Sequence, residues 1–183
     1  MLSKADSVLR SIERNAWRGY FPIIGLEKGK ILADVISKVN PKRILEIGTL
    51  IGYSAIVMAK ELGADAEIIT IEIDEDEAEQ ARENISEAEV KPSIKILVGD
   101  ALEIIPTLNG IFDVVFIDAE KNEYLEYLKL VEPKTSIGSV IVADNTNINT
   151  YSMRKYLDYV RNSGRYNSKV EHWGAMEVSV KTA

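Results

Sequence analysis

The sequence contains no cysteine, which excludes disulfide bonds and thiolate chemistry. Its single histidine, His172, excludes a zinc site built from several histidines. A metal site in this chain would therefore need oxygen ligands, which Mg²⁺, Ca²⁺ and Mn²⁺ prefer. No apolar run approaches the roughly 20 residues of a membrane-spanning helix. The N-terminus also lacks the unbroken apolar centre of a signal peptide. From these absences we expect a cytoplasmic protein that does not associate with a membrane.

Positive charge is scarce as well. The chain has 22 Lys and Arg against 29 Asp and Glu, which gives a net charge of −7. Proteins that bind nucleic acids usually carry a basic surplus, because neutralising phosphates dominates their affinity. The charge disfavours that class without removing it, since a local basic patch would suffice. With 183 residues, 46% of them hydrophobic, the chain can bury a full core, and we predict a single domain over residues 1–183.

Five short apolar runs alternate with longer amphipathic stretches. Each run is rich in isoleucine and valine and shows little apolar–polar alternation, which is typical of strands covered on both faces. The runs are RILEIG (43–48), EIITIEI (67–73), SIKILV (93–98), FDVVFI (112–117) and GSVIVA (138–143). This alternation predicts a doubly wound, Rossmann-like α/β fold with parallel strands.

Flanking regions complete the predicted architecture. Residues 1–40 predict two helices outside the sheet, ahead of an α/β core over residues 41–183. Residues 165–181 predict two strands about a turn at Trp173-Gly174, which form an antiparallel hairpin on one edge and bring the sheet to seven strands. In the stretch from 74 to 90, a helical stripe is formed by Ala78, Ala81, Ile85 and Ala88.

Parallel sheets bind ligands at the carboxyl ends of their strands, and the first strand ends in EIGTLIGYSA. Gly48 and Gly52 bracket a tight turn there, where glycine allows positive φ and close approach of a ligand. A ligand-binding turn and a purely structural turn both fit this spacing. Glu46 lies within the apolar strand, and we expect backbone N–H groups of the glycine turn to donate to its carboxylate.

The next two strands also end in acids. Glu72 ends the second strand, where a carboxylate can accept hydrogen bonds from two ribose hydroxyls. A helix-capping role suits Asp74 better than Glu72. Asp100 follows the third strand, and two interpretations stay open: a cap on the next helix, or an acceptor for an adenine amino group.

The fourth and fifth strands end in a shared pattern. Asp118 follows the fourth strand, while Asp144 and Asn145 end the fifth. These three oxygen ligands at neighbouring strand ends suit an octahedral ion such as Mg²⁺ or Mn²⁺. For Asp144 alone, a helix cap is the alternative. Lys121 would lie beside the ion, and a nearby positive charge favours a neutral amine that can act as a general base.

In this combination the chain resembles the magnesium-dependent, S-adenosylmethionine (SAM)-dependent O-methyltransferases of the catechol and caffeoyl-coenzyme A group. The resemblance covers roughly residues 20 to 181. It rests on the segments FPIIGLEKG, ILEIGTLIGYSA, ITIEID, LVGDALEIIP, FIDAEKNEY and VIVADN, in this order.

The resemblance implies a class I methyltransferase fold, SAM and Mg²⁺ (or Mn²⁺) as cofactors, and a role for each matching residue. It implies Lys121 as the base that takes the proton from the attacking hydroxyl, and Glu72 as the ribose ligand. The metal ligands it implies are Asp118, Asp144 and Asn145. The cofactor-binding residues that we predict are Ile24, Glu46, Gly48, Gly52, Tyr53, Ser54, Glu72, Asp100, Ala101 and Asp118.

The acceptor expected from the resemblance is a small vicinal diol such as a catechol, bound by a homodimeric enzyme. The C-terminal region departs from the family pattern, since Glu171 and Glu177 are its only acids and neither has the matching context. Trp173 would either wall the acceptor pocket or plug the sheet edge. Four basic residues either belong to a solvated helix face or attract an anionic acceptor. They are Arg154, Lys155, Arg161 and Arg165.

Three other functions stay open. A tRNA hydroxyuridine O-methyltransferase shows a similar pattern, although the net charge of −7 disfavours a tRNA partner. A nicotinamide oxidoreductase is disfavoured because the chain lacks G-x-G-x-x-G. A cofactor-binding protein without catalysis is disfavoured by Lys121 and the complete metal triad.

Overall fold

A computed structural model describes residues 3–16, 21–171 and 175–183. Its centre is a seven-stranded sheet with the spatial order β3-β2-β1-β4-β5-β7-β6. The strands are β1 (Arg43–Ile47), β2 (Glu67–Glu72), β3 (Ser93–Val98), β4 (Val114–Ile117), β5 (Val140–Asp144), β6 (Tyr166–Glu171) and β7 (Met176–Lys181). Strands β1 to β5 are parallel, and β7 pairs antiparallel with both β5 and β6. The predicted doubly wound sheet with a C-terminal hairpin is confirmed.

Seven helices connect and cover the strands in the described part of the chain. They are α1 (Lys4–Ala16), α2 (Gly25–Val39), α3 (Tyr53–Lys60), α4 (Glu75–Ala88), α5 (Ala101–Thr107), α6 (Tyr124–Val131) and α7 (Tyr151–Asn162). Two 3₁₀ turns, Lys121–Glu123 and Glu132–Lys134, flank α6. Among the described residues, no helix combines the length and apolar character that crossing a membrane requires.

Side-chain alternation along the strands divides the core into two layers. In β1, Ile44 packs with the layer that contains α1, α2 and α3, whereas Leu45 and Ile47 pack with the layer of α5, α6 and α7. This follows from the strand period of two, because successive side chains point to opposite faces of the sheet. The two N-terminal helices predicted before Pro41 are present and share the first of these layers.

Helix α4 shows how the local signals produced the expected element. Asp74 is its N-cap and accepts hydrogen bonds from the N–H groups of Asp76 and Glu77, as its position predicted. The stripe faces inward, with Ala78, Ala81 and Ala88 buried and Ile85 packed against the first core layer.

The strand order places a crevice at the centre of the sheet. The chain runs outward from β1 to β2 and β3 on one side, and through β4 and β5 on the other. At such a switch point the connections leave in opposite directions, and a crevice opens beyond the carboxyl ends of β1 and β4. The turn predicted at Trp173-Gly174 lies outside the described residues.

Candidate active site

A cavity of about 730 Å³ lies at this switch point. Most of the predicted site residues line it. They are Ile24, Gly48, Tyr53, Ser54, Glu72, Asp100, Ala101, Asp118, Lys121 and Asn145. Glu46, Gly52 and Asp144 are not among its lining residues and lie behind the wall.

The glycine turn after β1 is shaped by contacts on both sides. Gly48 has a φ of +97°, and a Cβ atom there would lie 2.4 Å from the backbone oxygen of Asp118. Only glycine lets β1 and the end of β4 approach this closely. Gly52, with a φ of +83°, is the N-cap of α3, and a Cβ there would touch Ala81 and Ile85 of α4. Gly52 therefore serves helix packing here, and its cofactor contact stays a prediction.

Glu72 is held by four backbone groups at the wall of the cavity. Its Oε2 accepts hydrogen bonds from the N–H groups of Thr49 (3.1 Å) and Leu50 (2.6 Å). Its Oε1 accepts from the N–H groups of Ile73 (2.8 Å) and Asp74 (3.1 Å). The carboxylate thus ties the glycine turn to the start of α4, and Glu72 lines the cavity.

Glu46 meets different donors from those that the sequence suggested. The turn N–H groups of Thr49 and Leu50 go to Glu72, while the Ser54 hydroxyl donates to Glu46 Oε1. The expectation of backbone donors for Glu46 was wrong, because its side chain points into the layer beneath α3 rather than past the strand end. Burial raises the pKa of Glu46 to about 7, and the hydrogen bond from Ser54 opposes this rise.

The third strand end combines a cap with a cavity wall. Asp100 is the N-cap of α5 and accepts a hydrogen bond from the N–H of Leu102 at 2.8 Å. Ala101 is the first residue of α5, where the backbone N–H has no acceptor within the helix. Both residues line the cavity. The capping interpretation of Asp100 is therefore correct, and a contact to adenine stays a prediction.

Two side chains close the cavity on the side of the N-terminal helices. Ile24 directly precedes α2 and is buried. Tyr53, the first residue of α3, is also buried, and its hydroxyl donates to Glu13 of α1 at 2.6 Å. Helix α1 therefore contributes a side chain that fixes the orientation of a cavity residue.

The structure brings the predicted metal ligands and the predicted base together. Asp118 Oδ1 accepts hydrogen bonds from Lys121 Nζ (2.7 Å) and from Asn145 Nδ2 (3.0 Å). The same Asn145 nitrogen lies 3.2 Å from Asp144 Oδ2. Burial raises the pKa of Asp118, and Lys121 acts in the opposite direction. One amide thus bridges two carboxylates from neighbouring strands.

Sequence reasoning missed two side chains that hold Asp144. Lys28, in the first turn of α2, donates to Asp144 Oδ2 at 2.5 Å, and these side chains are 17% and 1% exposed. The buried Tyr124 hydroxyl donates to the backbone oxygen of Asp144 at 3.1 Å. Tyr124 lies in the quoted segment FIDAEKNEY and Lys28 in the quoted segment FPIIGLEKG, but neither segment indicated a contact with Asp144.

The donor set fits a hard divalent cation. Within the part of the chain that the structure describes, Asp144 Oδ1 is buried and has no hydrogen-bond partner. A buried carboxylate oxygen without a donor is costly unless a cation or water satisfies it. Among residues 3–16, 21–171 and 175–183, no three His, Cys, Asp or Glu side chains are grouped so that they could hold a metal ion by themselves. A third ligand would have to come from another oxygen donor, and the Asn145 amide lies against both aspartates.

The C-terminal residues lie apart from the cavity. Glu177 is fully buried and forms a two-point ion pair with Arg161 at 2.8 and 2.6 Å, so it is not free to contact an acceptor. Arg154, Lys155 and Arg165 are exposed and do not line the cavity. This arrangement favours the solvated-surface interpretation. The predicted role of Trp173 lies outside the described residues.

Known proteins are similar to this chain in both sequence and fold. Catechol O-methyltransferase B of Danio rerio is 39% identical over 152 residues, which cover 79% of this chain and 57% of that protein. Catechol O-methyltransferase of Mycobacterium tuberculosis is 38% identical over 123 residues, covering 67% of this chain and 56% of that protein. The chain therefore spans little more than half the length of these two relatives.

A solved structure extends the similarity over the whole chain. The O-methyltransferase TomG of Streptomyces achromogenes, crystallised in complex with SAM, is 28% identical with a TM-score of 0.81. The match covers 100% of this chain and 93% of that one. The family model described as "O-methyltransferase" matches residues 3–170, which is most of the sequence. This chain belongs to the O-methyltransferase family.

Proposed function

We propose that this protein transfers a methyl group from SAM to a hydroxyl of a small vicinal diol, such as a catechol, with the help of a divalent cation. The observation that carries the proposal is the meeting of Asp118, Asp144, Asn145 and Lys121 within hydrogen-bond distance beside the cavity. Two relatives named as catechol O-methyltransferases support the acceptor class.

The cavity suits SAM in size and in the placement of its polar groups. Its volume of about 730 Å³ lies within the usual range for cofactor sites, roughly 300–1,000 Å³. The ribose hydroxyls would share the Glu72 carboxylate with the backbone N–H groups that donate to it, and Ala101 N–H would lie near the adenine. Gly48 and Ser54 would contact the methionine part. The TomG complex with SAM supports SAM as the cofactor.

Asp118, Asp144 and Asn145 would hold Mg²⁺ through two carboxylates and one amide oxygen. When bound, such a cation lowers the pKa of a chelated hydroxyl and fixes its position. The neighbouring strand ends supply the geometry, because β4 and β5 are directly paired and end at the same edge.

In this proposal Lys121 is the residue that moves the proton. Its Nζ lies beside Asp118 at the cavity wall, and 26% of the side chain is exposed. In the proposed reaction the acceptor oxygen forms a bond to the methyl carbon as the carbon–sulfur bond breaks. A cation bound at Asp118 would favour the neutral amine of Lys121. The hydroxyl proton would then pass to Lys121 Nζ, and S-adenosylhomocysteine would leave. Holding the oxygen against the methyl group in line supplies much of the acceleration.

Methyl transfer to catechol, measured by mass spectrometry with and without a chelator, tests this function. We expect activity with Mg²⁺ or Mn²⁺, none with chelator, and none in Asp144→Ala. Lys121→Ala should lower turnover by about 10²–10⁴-fold, the usual range for a general base. Lys121→Arg should rescue poorly, because a guanidinium stays protonated.

Titration calorimetry of SAM is the control. It should show that both Lys121 variants are folded and bind the cofactor. Full activity in the presence of chelator would refute the metal. Turnover near that of the wild type in Lys121→Arg at neutral pH would refute the general base.

A further inference from the structure

The acidic centre beside the cavity contains its own counter-charges. Asp118 pairs with Lys121 at 2.7 Å and Asp144 pairs with Lys28 at 2.5 Å. Two carboxylates therefore meet two ammonium groups, and their formal charges sum to zero. A metal site normally derives its attraction for a divalent cation from a surplus of negative charge. Among these four side chains that surplus is cancelled.

Lys28 acts on one particular oxygen. Its Nζ contacts Asp144 Oδ2, which Asn145 Nδ2 also contacts, whereas Asp144 Oδ1 is buried and has no partner in the described part of the chain. A carboxylate oxygen offers about two lone-pair directions, so Oδ2 is fully used. A cation that takes up Asp144 must share this carboxylate with Lys28 or displace it.

The position of Lys28 is not explained by helix stability. It lies in the first turn of α2, where the helix dipole disfavours positive charge. Leu32 and Ile36, four and eight residues further on, are fully buried in the core. They hold the helix against the sheet with Lys28 on the same stripe. A well-anchored helix thus presents an ammonium group to a buried carboxylate.

We propose that Lys28 is a positioning residue that competes with the divalent cation for Asp144 and so weakens metal binding by the free enzyme. The inference rests on the metal site of the proposed function. Its consequence is that the cation binds weakly alone and tightly only when the acceptor adds negative charge to the site. Lys28 thereby links metal occupancy to the presence of the diol.

Titration calorimetry of Mg²⁺ into the full chain, without acceptor, tests the role of Lys28. Lys28→Met removes the charge and Lys28→Gln replaces it with a neutral donor to the buried carboxylate. We expect both to bind Mg²⁺ about tenfold more tightly than the wild type, within the 5- to 150-fold range typical of coupled sites. Lys28→Arg keeps the charge and should match the wild type.

Lys30→Met is the matched control, because it removes an exposed lysine two residues along the same helix. It should leave the affinity unchanged. In thermal melts with chelator, Lys28→Met should unfold at a lower temperature than the wild type, and Mg²⁺ should raise its melting temperature by more. If Lys28→Met fails to fold, Lys28→Gln and Lys28→Arg still decide the question.

Unchanged or weaker Mg²⁺ affinity in the neutral variants would overturn the role of Lys28 alone, provided that the wild type binds. Absence of Mg²⁺ binding in every variant would overturn the metal site of the proposed function and the role of Lys28 with it.

Discussion

Two buried glutamates on adjacent strands meet opposite surroundings. Glu72 receives four backbone N–H groups, whereas Glu46 receives one hydroxyl from Ser54. Within the described residues, Glu46 Oε2 has no partner. Donors stabilise the ionised form of a carboxylate and burial destabilises it. The balance explains why the pKa of Glu46 rises to about 7.

This rise makes the stability of the fold depend on pH through Glu46. Its pKa goes from 4.5 to about 7 on folding, so the folded state binds more protons between these values. The stability that protonated Glu46 contributes is fully present below about pH 4.5 and is lost as the pH rises through about 7. The pKa difference corresponds to about 3 kcal/mol at most.

Glu46→Gln mimics the protonated form and should remove this loss. Urea unfolding of both proteins at about pH 5 and pH 8 measures the difference. We expect the wild type to lose up to about 3 kcal/mol relative to Glu46→Gln between these two pH values. Other titrating groups cancel, since both proteins carry them. Parallel pH dependence of the two proteins would show that Glu46 stays ionised in the fold.

At the scale of elements, the end of β1 depends on one glycine. Gly48→Ala would place a Cβ atom 2.4 Å from the Asp118 backbone oxygen, at a φ of +97°. Gly138 is the matched control, because it has a φ of +93° but nothing within 4 Å of an added Cβ. The pair therefore separates backbone strain from overlap between β1 and β4.

Gly138→Ala should lower the free energy of unfolding by about 1–2 kcal/mol, from positive φ alone. Gly48→Ala should lower it by at least about 2 kcal/mol more, because the strand ends must move apart. Urea unfolding measures both values. Titration of both variants with SAM is the second measurement, and only Gly48→Ala should weaken SAM binding. Equal destabilisation by the two changes would mean that the β1–β4 contact is not tight.

The helices and strands could be predicted from the sequence because their signals are local. The hydrogen-bond partners of the site residues often could not be predicted. Ile-rich and Val-rich runs identified β1 to β5, and Asp74 indicated the start of α4. Lys28 could not be found in this way, because it pairs with a residue 116 positions away. The donors of Glu46 were missed for a related reason: the turn N–H groups belong to Glu72, from another strand.

At the scale of the whole molecule, the negative charge favours a small acceptor over a polyanion such as tRNA. The net charge is −7, and the cavity wall carries many more acids than bases. Its carboxylates belong to Glu72, Glu77, Asp100, Asp118, Glu120 and Glu123, with Lys121 as the counter-charge in the same lining. A small neutral or cationic diol can enter such a cavity, whereas a polyanion would meet repulsion over its whole contact.

A tRNA acceptor is therefore the alternative that charge tests most directly. We expect no gel shift of bulk tRNA by micromolar protein at about 50 mM salt, where phosphate contacts are strongest. We also expect excess tRNA to leave methylation of catechol unchanged. A basic tRNA-binding protein in the same gel is the control for the assay. A tRNA-binding enzyme would behave differently: it would shift tRNA and lose about 10³–10⁵ in affinity between about 50 and 200 mM salt. Transfer of labelled methyl from SAM to tRNA, together with that salt dependence, would replace the small diol with tRNA as the acceptor.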